Sequence, residues 1–246
     1  MSDHPVSNFL NLLRLIKRTG CMEQALQASI GRWAGETPSP ATMLRIAAYI
    51  CDLCDDTLVE INSSTISDEA KAGLLQTAQS VQTLFSVPNM ANAPNHFLPQ
   101  IDGSITQFAI LVSVAGLDEP NPVSAEIDEL VAEIVSIEKA ISEAGVSPAV
   151  AEVARRHLHV LKTLLQNVDA LGIDAALAAY DELVIRLRRV DEKADPGTHK
   201  KMRKVWPMIE KWSGRLAVIH AGLSHGSGMI TGAYSAAKNL LGWSPD

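Results

Sequence analysis

Cysteine, aromatic residues and catalytic motifs are all scarce in this chain of 246 residues. The three cysteines, Cys21, Cys51 and Cys54, are too few and odd in number for a disulfide framework, which indicates a reducing compartment and a cytoplasmic protein. The sequence contains no phosphate-binding loop, serine-hydrolase elbow or zinc-protease motif. We therefore expect no cofactor and no enzymatic activity. An enzyme whose pocket the sequence conceals stays as a third alternative.

Strand patterns are missing as well, since no alternating β-branched runs lie between turn signals. The first twenty residues carry their charge after a short apolar run and have no small-residue cleavage site, so they do not resemble a secretory signal. Apolar residues, at 47% of the chain, recur every three or four positions, as in the stripe Ile127, Leu130, Ile134, Ile137 and Ile141. The predicted fold is all-α: a multi-helix bundle of antiparallel helical hairpins with a Gly-rich amphipathic C-terminal tail.

Local signals place the helices along the chain. Ser39 and Ser67 are expected to cap two helices, and Gly172 is expected to end a third that begins after Ser147. Residues 88–103 contain three prolines and three asparagines, which predicts a long connection. Residues 105–116 are apolar nearly all round, which predicts a short buried helix. It is too short to span a bilayer.

Composition and charge divide the chain into four segments. We expect an N-terminal helical region at 1–116 and a second helical hairpin region at 117–190. A basic junction at 191–213 and an uncharged, small-residue-rich tail at 214–246 follow them. The net charge of −7 conceals this asymmetry, because residues 186–215 carry ten Lys or Arg against four acids.

The cysteine and histidine candidates have ordinary structural interpretations. Cys51 and Cys54 have the spacing of a zinc half-site but lie mid-helix without two further paired ligands, so we expect buried, metal-free cysteines. His157 and His159 are two residues apart and cannot chelate one metal from a helix. We expect the first to be half-buried and the second to lie on the surface.

Two acidic clusters, at 54–60 and 125–130, are typical of solvated first turns of helices rather than of paired catalytic carboxylates. We predict no metal site and no catalytic site in the chain.

The basic patch is a stronger signal of function, and it consists of Lys200, Lys201, Arg203 and Lys204. One interpretation is a solvated, flexible junction. A second is nucleic-acid binding, which the acidic remainder of the chain and the lack of a recognised reader motif disfavour. A third takes the patch as the basic flank of a membrane-associated segment, which would bind anionic lipid.

The tail supplies that segment. From Leu216 to Ala237 the chain has 22 residues without a formal charge, close to the roughly 20 that a membrane-spanning helix needs. Polar and small residues dilute it, and glycines in small-xxx-small pairs permit close helix approach. The candidate oligomerisation or membrane residues are Gly222, Gly226, Gly228, Gly232, Trp212 and Trp243.

Two functional hypotheses follow. In the first, the tail of a non-enzymatic, cytoplasmic protein mediates oligomerisation or association with an anionic membrane, with conditional insertion at the inner membrane. In general layout the chain resembles bacterial helical effectors that permeabilise membranes, which implies a toxin or antiviral defence effector. In the second, a soluble regulatory or scaffold protein binds a protein partner and docks its tail on its own bundle.

Overall fold

The computed structural model describes residues 4–20, 26–34, 38–89, 92, 97–117 and 124–224. Within these residues the fold is all-α and contains no strand, which confirms the predicted class. The eleven α-helices of the described residues are α1 Pro5–Thr19, α2 Leu26–Ala34, α3 Pro40–Ser63, α4 Asp68–Phe85, α5 Ile101–Val114, α6 Ser124–Ala144, α7 Pro148–Gln166, α8 Val168–Leu171, α9 Ile173–Asp191, α10 Pro196–Met202 and α11 Trp206–Ser224.

Side-chain caps begin the helices where the sequence places them. Ser39 Oγ accepts the backbone N–H of Thr42 at 3.2 Å, and Ser67 Oγ accepts that of Ala70 at 3.4 Å. Gly172 ends α8 with a φ of +81°, a left-handed conformation that favours glycine. The helix predicted to run up to Gly172 is interrupted at Asn167, so its last turn is the separate helix α8.

The chain forms two compact units. Unit 1 comprises Met1–Pro120 and Asn167–Gly172, and unit 2 comprises Asn121–Gln166 and Ile173–Asp246.

In unit 1, helices α1, α3, α4 and α5 surround one core, each packing on two of the others. Thr57 Oγ1 near the end of α3 donates to Pro5 O at the start of α1 (3.3 Å). Lys17 near the end of α1 pairs with Asp102 at the start of α5 (2.5 Å). Helix α1 therefore runs opposite to both α3 and α5. The core includes an aromatic contact between Phe9 of α1 and Phe108 of α5, with ring centroids 4.7 Å apart.

Helix α5 differs from its prediction in two respects. The helical structure begins with a 3₁₀ turn at Leu98–Gln100, so the connection predicted over 88–103 is shorter. Proline is tolerated in a first helical turn, where its missing N–H has no intrahelical partner to lose. Only one face of α5 is buried, and Ile110 and Val114 are 61% and 80% exposed. The prediction of a helix buried on all sides is therefore wrong.

In unit 2, helices α6, α7, α9 and α11 surround a second core in the same manner. The predicted apolar stripe of α6 is buried at every position: Ile127, Leu130, Ile134, Ile137 and Ile141. Tyr180 Oη in α9 donates to the carbonyl of Ile209 in α11 at 2.9 Å, which satisfies a buried phenol. Burial raises the pKa of Tyr180 to about 12. The short helix α10 packs on α6 and α9.

Candidate functional site

The basic patch lies on α10 and on the turn that follows it. Asp195 caps α10: its Oδ2 accepts the hydroxyl of Thr198 at 2.6 Å, and its Oδ1 accepts the backbone N–H of Thr198 at 3.0 Å. The hydroxyl hydrogen bond, and then the backbone one, lower the pKa of the Asp195 carboxyl. Thr198 and Met202 face the core, so the residues between and after them point outward. Lys200, Lys201, Arg203 and Lys204 are all exposed. Residues 196–202 of this junction are helical, and its four cations are solvated.

A buried carboxylate holds this region together. Asp191, at the end of α9, is only 5% exposed, and its Oδ2 accepts Trp206 Nε1 at 2.9 Å. Its Oδ1 lies 3.2 Å from Nδ1 of His199 in α10. The guanidinium of Arg188 lies over the Trp206 ring, 5.8 Å from its centroid. One carboxylate thus connects the end of α9, the middle of α10 and the start of α11.

Sequence reasoning missed Asp191, although a signal was present. Tyr180, Leu183, Leu187 and Asp191 follow a three-to-four spacing, and all four are buried. An acid that continues an apolar stripe is expected to have a buried partner. That partner is Trp206, which follows Asp191 in the sequence.

Ion pairs neutralise part of the basic window. Arg215 binds Glu133 at 2.6 Å and Glu129 at 2.8 Å. Arg188 lies 3.7 Å from Glu210.

Among the patch residues, Lys201 donates to the carbonyl of Gly145 at 2.6 Å, at the end of α6. Lys200, Arg203 and Lys204 form no ion pair with any residue that the structure describes. We call these three exposed cations the basic surface.

Trp212 occupies a different place from the expected one. It is 1% exposed, lies in the core of unit 2, and donates from Nε1 to Glu133 Oε2 at 2.7 Å. Leu216 and Ile219 of the same helix are also buried. In this conformation Trp212 is therefore a core residue rather than a membrane-border residue, and the uncharged run begins inside a docked helix.

The remaining tail residues are described only in part. His220 Nε2 lies 3.0 Å from Asp174 Oδ1, and this hydrogen bond lowers the pKa of the aspartate. Gly222 belongs to the last turn of α11. Gly226, Gly228, Gly232 and Trp243 lie outside the described residues. None of the helices in the described ranges is long and apolar enough to cross a bilayer.

The cysteine and histidine candidates differ in burial. Cys54 is fully buried, and burial raises the pKa of its thiol, whereas Cys51 is only half-buried. His157 is buried in α7, and His159 is half-buried rather than on the surface as expected. The described part of the chain contains no group of three or more side chains that could hold a metal ion.

The acidic cluster predicted to form a first turn lies instead in the second half of α3, whose Asp52, Asp55 and Asp56 are exposed around Val59. Val59 is itself 65% exposed. We call these four residues the acidic face. The cluster at 125–130 does begin a helix, α6.

Comparison with known proteins gives no relative. No protein-family model matches the chain, and no curated protein and no solved structure matches it significantly. The residues above therefore carry the functional argument alone.

Proposed function

We propose that this chain is a non-enzymatic, cytoplasmic helical protein, built from antiparallel hairpins, whose C-terminal tail mediates self-association. The observation that carries the proposal is the docking of α11. Trp212, Leu216 and Ile219 fix this helix in unit 2 as far as its last turns. The end of α11, after which residues 225–246 continue the chain, is therefore held in a defined place.

Docking also favours self-association over membrane insertion. The uncharged run of 22 residues is reduced to the 13 residues 225–237 once the part up to Ser224 belongs to α11. A spanning helix needs about 20 residues, so insertion would require α11 to leave the core of unit 2. Close approach between copies needs only the small-xxx-small spacing of Gly228 and Gly232.

A second candidate is a regulatory or scaffold protein whose tail docks on its own bundle. Leu216 and Ile219 of α11 support it, because both belong to the predicted tail and both are buried within unit 2. The two candidates differ in what the residues after Ser224 contact. A toxin or defence role belongs to the first candidate alone.

The test compares the full chain with a chain ending at Ser224, which leaves α11 intact. We expect light scattering after size exclusion to show an oligomer for the full chain and a smaller species for the shortened one. Co-sedimentation with vesicles of phosphatidylglycerol and phosphatidylcholine reports membrane association separately. A full chain that is monomeric and ignores vesicles would contradict the proposal.

A point substitution sharpens this test. Gly228→Leu adds bulk to the tail, and we expect it to weaken assembly without lowering the melting temperature of unit 2. Gly214→Leu is the matched control, because a Cβ at Gly214 meets no atom within 4 Å. A monomer whose melting temperature falls with Gly228→Leu, and not with Gly214→Leu, would support the self-docked scaffold instead.

A further inference from the structure

The two units of the chain differ in charge. Unit 1 carries six Lys or Arg against thirteen Asp or Glu, which gives it the whole net charge of −7. Unit 2 carries fifteen of each and is neutral, although its residues 186–215 have a charge of +6. The field of an exposed charge is largely screened beyond about 8 Å at physiological ionic strength, so a partner in contact senses mainly the charges beside it. The local excess in unit 2 therefore determines what its basic surface can bind.

Three of the four acids among residues 186–215 make contacts within the protein. Asp191 is buried and accepts an indole N–H. Asp195 accepts both the hydroxyl and the backbone N–H of Thr198. Glu210 lies 3.7 Å from the guanidinium of Arg188. These acids therefore leave the charge of the basic surface exposed to solvent.

Apolar atoms accompany the cations of the basic surface. Trp206 is half-buried, and Pro207, which follows it, is exposed. Because Trp206 donates its indole N–H to Asp191, the ring carbons are what this side chain can offer to a partner. Cations beside an aromatic ring are typical of proteins that lie at a membrane surface, where the cations meet headgroup phosphates and the ring contacts the interface.

The same residues disfavour nucleic acid as the partner. Proteins that bind single strands stack bases on open aromatic faces. The guanidinium of Arg188 lies over the Trp206 ring, 5.8 Å from its centroid, and occupies one face. Reading a duplex requires a helix or ribbon that enters the major groove, whereas α10 has only seven residues and packs on α6 and α9. An anionic headgroup layer requires neither an open ring nor an element that enters a groove.

The basic surface is also separate from the tail. It precedes the first residue of α11, whose 19 residues extend about 28 Å to Ser224. Trp212 and Ile219 hold that helix in the core of unit 2. Binding at the basic surface therefore requires neither the tail nor the release of α11.

We propose that the basic surface binds the anionic headgroups of a membrane, with unit 2 lying on the bilayer rather than in it. The lipid phosphates are the groups recognised, and Lys200, Arg203 and Lys204 supply the positive charge that meets them. This binding is independent of tail-mediated self-association, because the chain can lie on a membrane as a monomer or as an oligomer.

The test is co-sedimentation of the full chain with vesicles, either of phosphatidylcholine alone or of phosphatidylcholine mixed with phosphatidylglycerol. We expect binding only to the vesicles that contain phosphatidylglycerol, and loss of that binding between about 50 and 500 mM NaCl. Lys200→Gln with Lys204→Gln removes two charges from the basic surface. This variant should bind about twentyfold more weakly, or about fivefold for each charge.

Lys139→Gln with Arg155→Gln is the matched control, because it changes the net charge by the same amount. Both of these cations are exposed, and each already pairs with an acid of its own helix, Glu143 and Glu152 respectively. We expect the control to bind vesicles as the wild type does. Gly228→Leu should also keep vesicle binding, so the size of the oligomer tests the tail and vesicle binding tests the basic surface. Circular dichroism verifies that every variant is folded.

Several outcomes would overturn the proposal. One is vesicle binding that is absent or does not depend on phosphatidylglycerol. Another is a Lys200 and Lys204 variant that binds as tightly as its control, whether both are weakened or neither is. Vesicle binding that Gly228→Leu abolishes would assign the membrane contact to the tail instead. A chain that ignores vesicles and binds an RNA oligonucleotide through the same lysines would identify nucleic acid as the partner.

Discussion

Replacing Trp212 by alanine tests whether α11 is a core helix of unit 2. The indole is almost fully buried, and its Nε1 donates to Glu133, which also binds Arg215. Truncating a buried Trp to Ala costs about 3–5 kcal/mol. Domains of ordinary size are stable by about 5–15 kcal/mol, so the variant should lose a large part of the stability of unit 2. For a unit of this size that loss lowers the melting temperature by roughly 10 °C or more.

Trp212→Phe separates the contribution of the buried ring from that of the hydrogen bond to Glu133. Phenylalanine keeps most of the buried ring but cannot donate to Glu133. A hydrogen bond to a charged group contributes about 1.5–3 kcal/mol, so this variant should lie between the wild type and Trp212→Ala. Val218→Ala on the exposed side of α11 is the control, and surface substitutions of this kind usually change stability by less than about 0.5 kcal/mol.

The assay is thermal unfolding by circular dichroism, with hydrogen exchange of peptides from α6 and α11. Faster exchange in both helices is expected for Trp212→Ala, because each covers the other's buried face. Equal melting temperatures for the wild type and Trp212→Ala would refute the docked α11. They would also support the membrane-border position that the sequence predicts for Trp212.

Three further predictions concern buried and ion-paired groups. Cys54→Ser buries a hydroxyl in place of a thiol and should destabilise unit 1 by about 1–3 kcal/mol in chemical denaturation. The wild-type Cys54 thiol, whose pKa burial raises, should react with iodoacetamide only after unfolding. Asp174 has a lowered pKa through its hydrogen bond to His220, so its contribution is complete above the unfolded value of about 3.9 and is lost as the pH falls through the folded value. Asp174→Asn should therefore reduce the steepness of acid unfolding below pH 4, and an unchanged profile would contradict the pairing.

The helices could be predicted because their signals are local. Capping serines, glycines after last turns and apolar residues every three or four positions act within one or two turns. Helix α6 shows this, since all five residues of its predicted stripe are buried. Helix α5 shows the limit, because an apolar helix can be covered on one side only. Which sides of a helix are covered depends on the neighbouring helices, and the sequence of a single helix does not encode it.

A weak internal similarity between residues 66–85 and 146–165 illustrates the same limit. The corresponding helices, α4 and α7, both begin after a serine. Yet α4 is the third of the four main helices of unit 1, and α7 is the second of the four in unit 2. The likeness therefore does not extend to the position of each helix within its unit.

The residue types of the candidate site could be predicted from the sequence, but their positions in space could not. The exposed cations of the basic patch follow from residue type alone, since lysine and arginine are rarely buried. Trp212 was misplaced because a tryptophan near basic residues is as typical of a membrane border as of a core. The structure resolves this ambiguity through Glu133, a partner 79 positions away in the sequence.

Asp191 connects the fold to the basic surface. Its carboxylate is buried at a cost, which the hydrogen bond from the indole N–H of Trp206 to Oδ2 offsets. The His199 ring of α10 lies 3.2 Å from Oδ1, so α10 lies against the end of α9, with Lys200 on the solvent side of α10. A flexible loop with the same cations would lose more conformational entropy on binding an anionic partner. The acid inside the basic window therefore orders the cations around it.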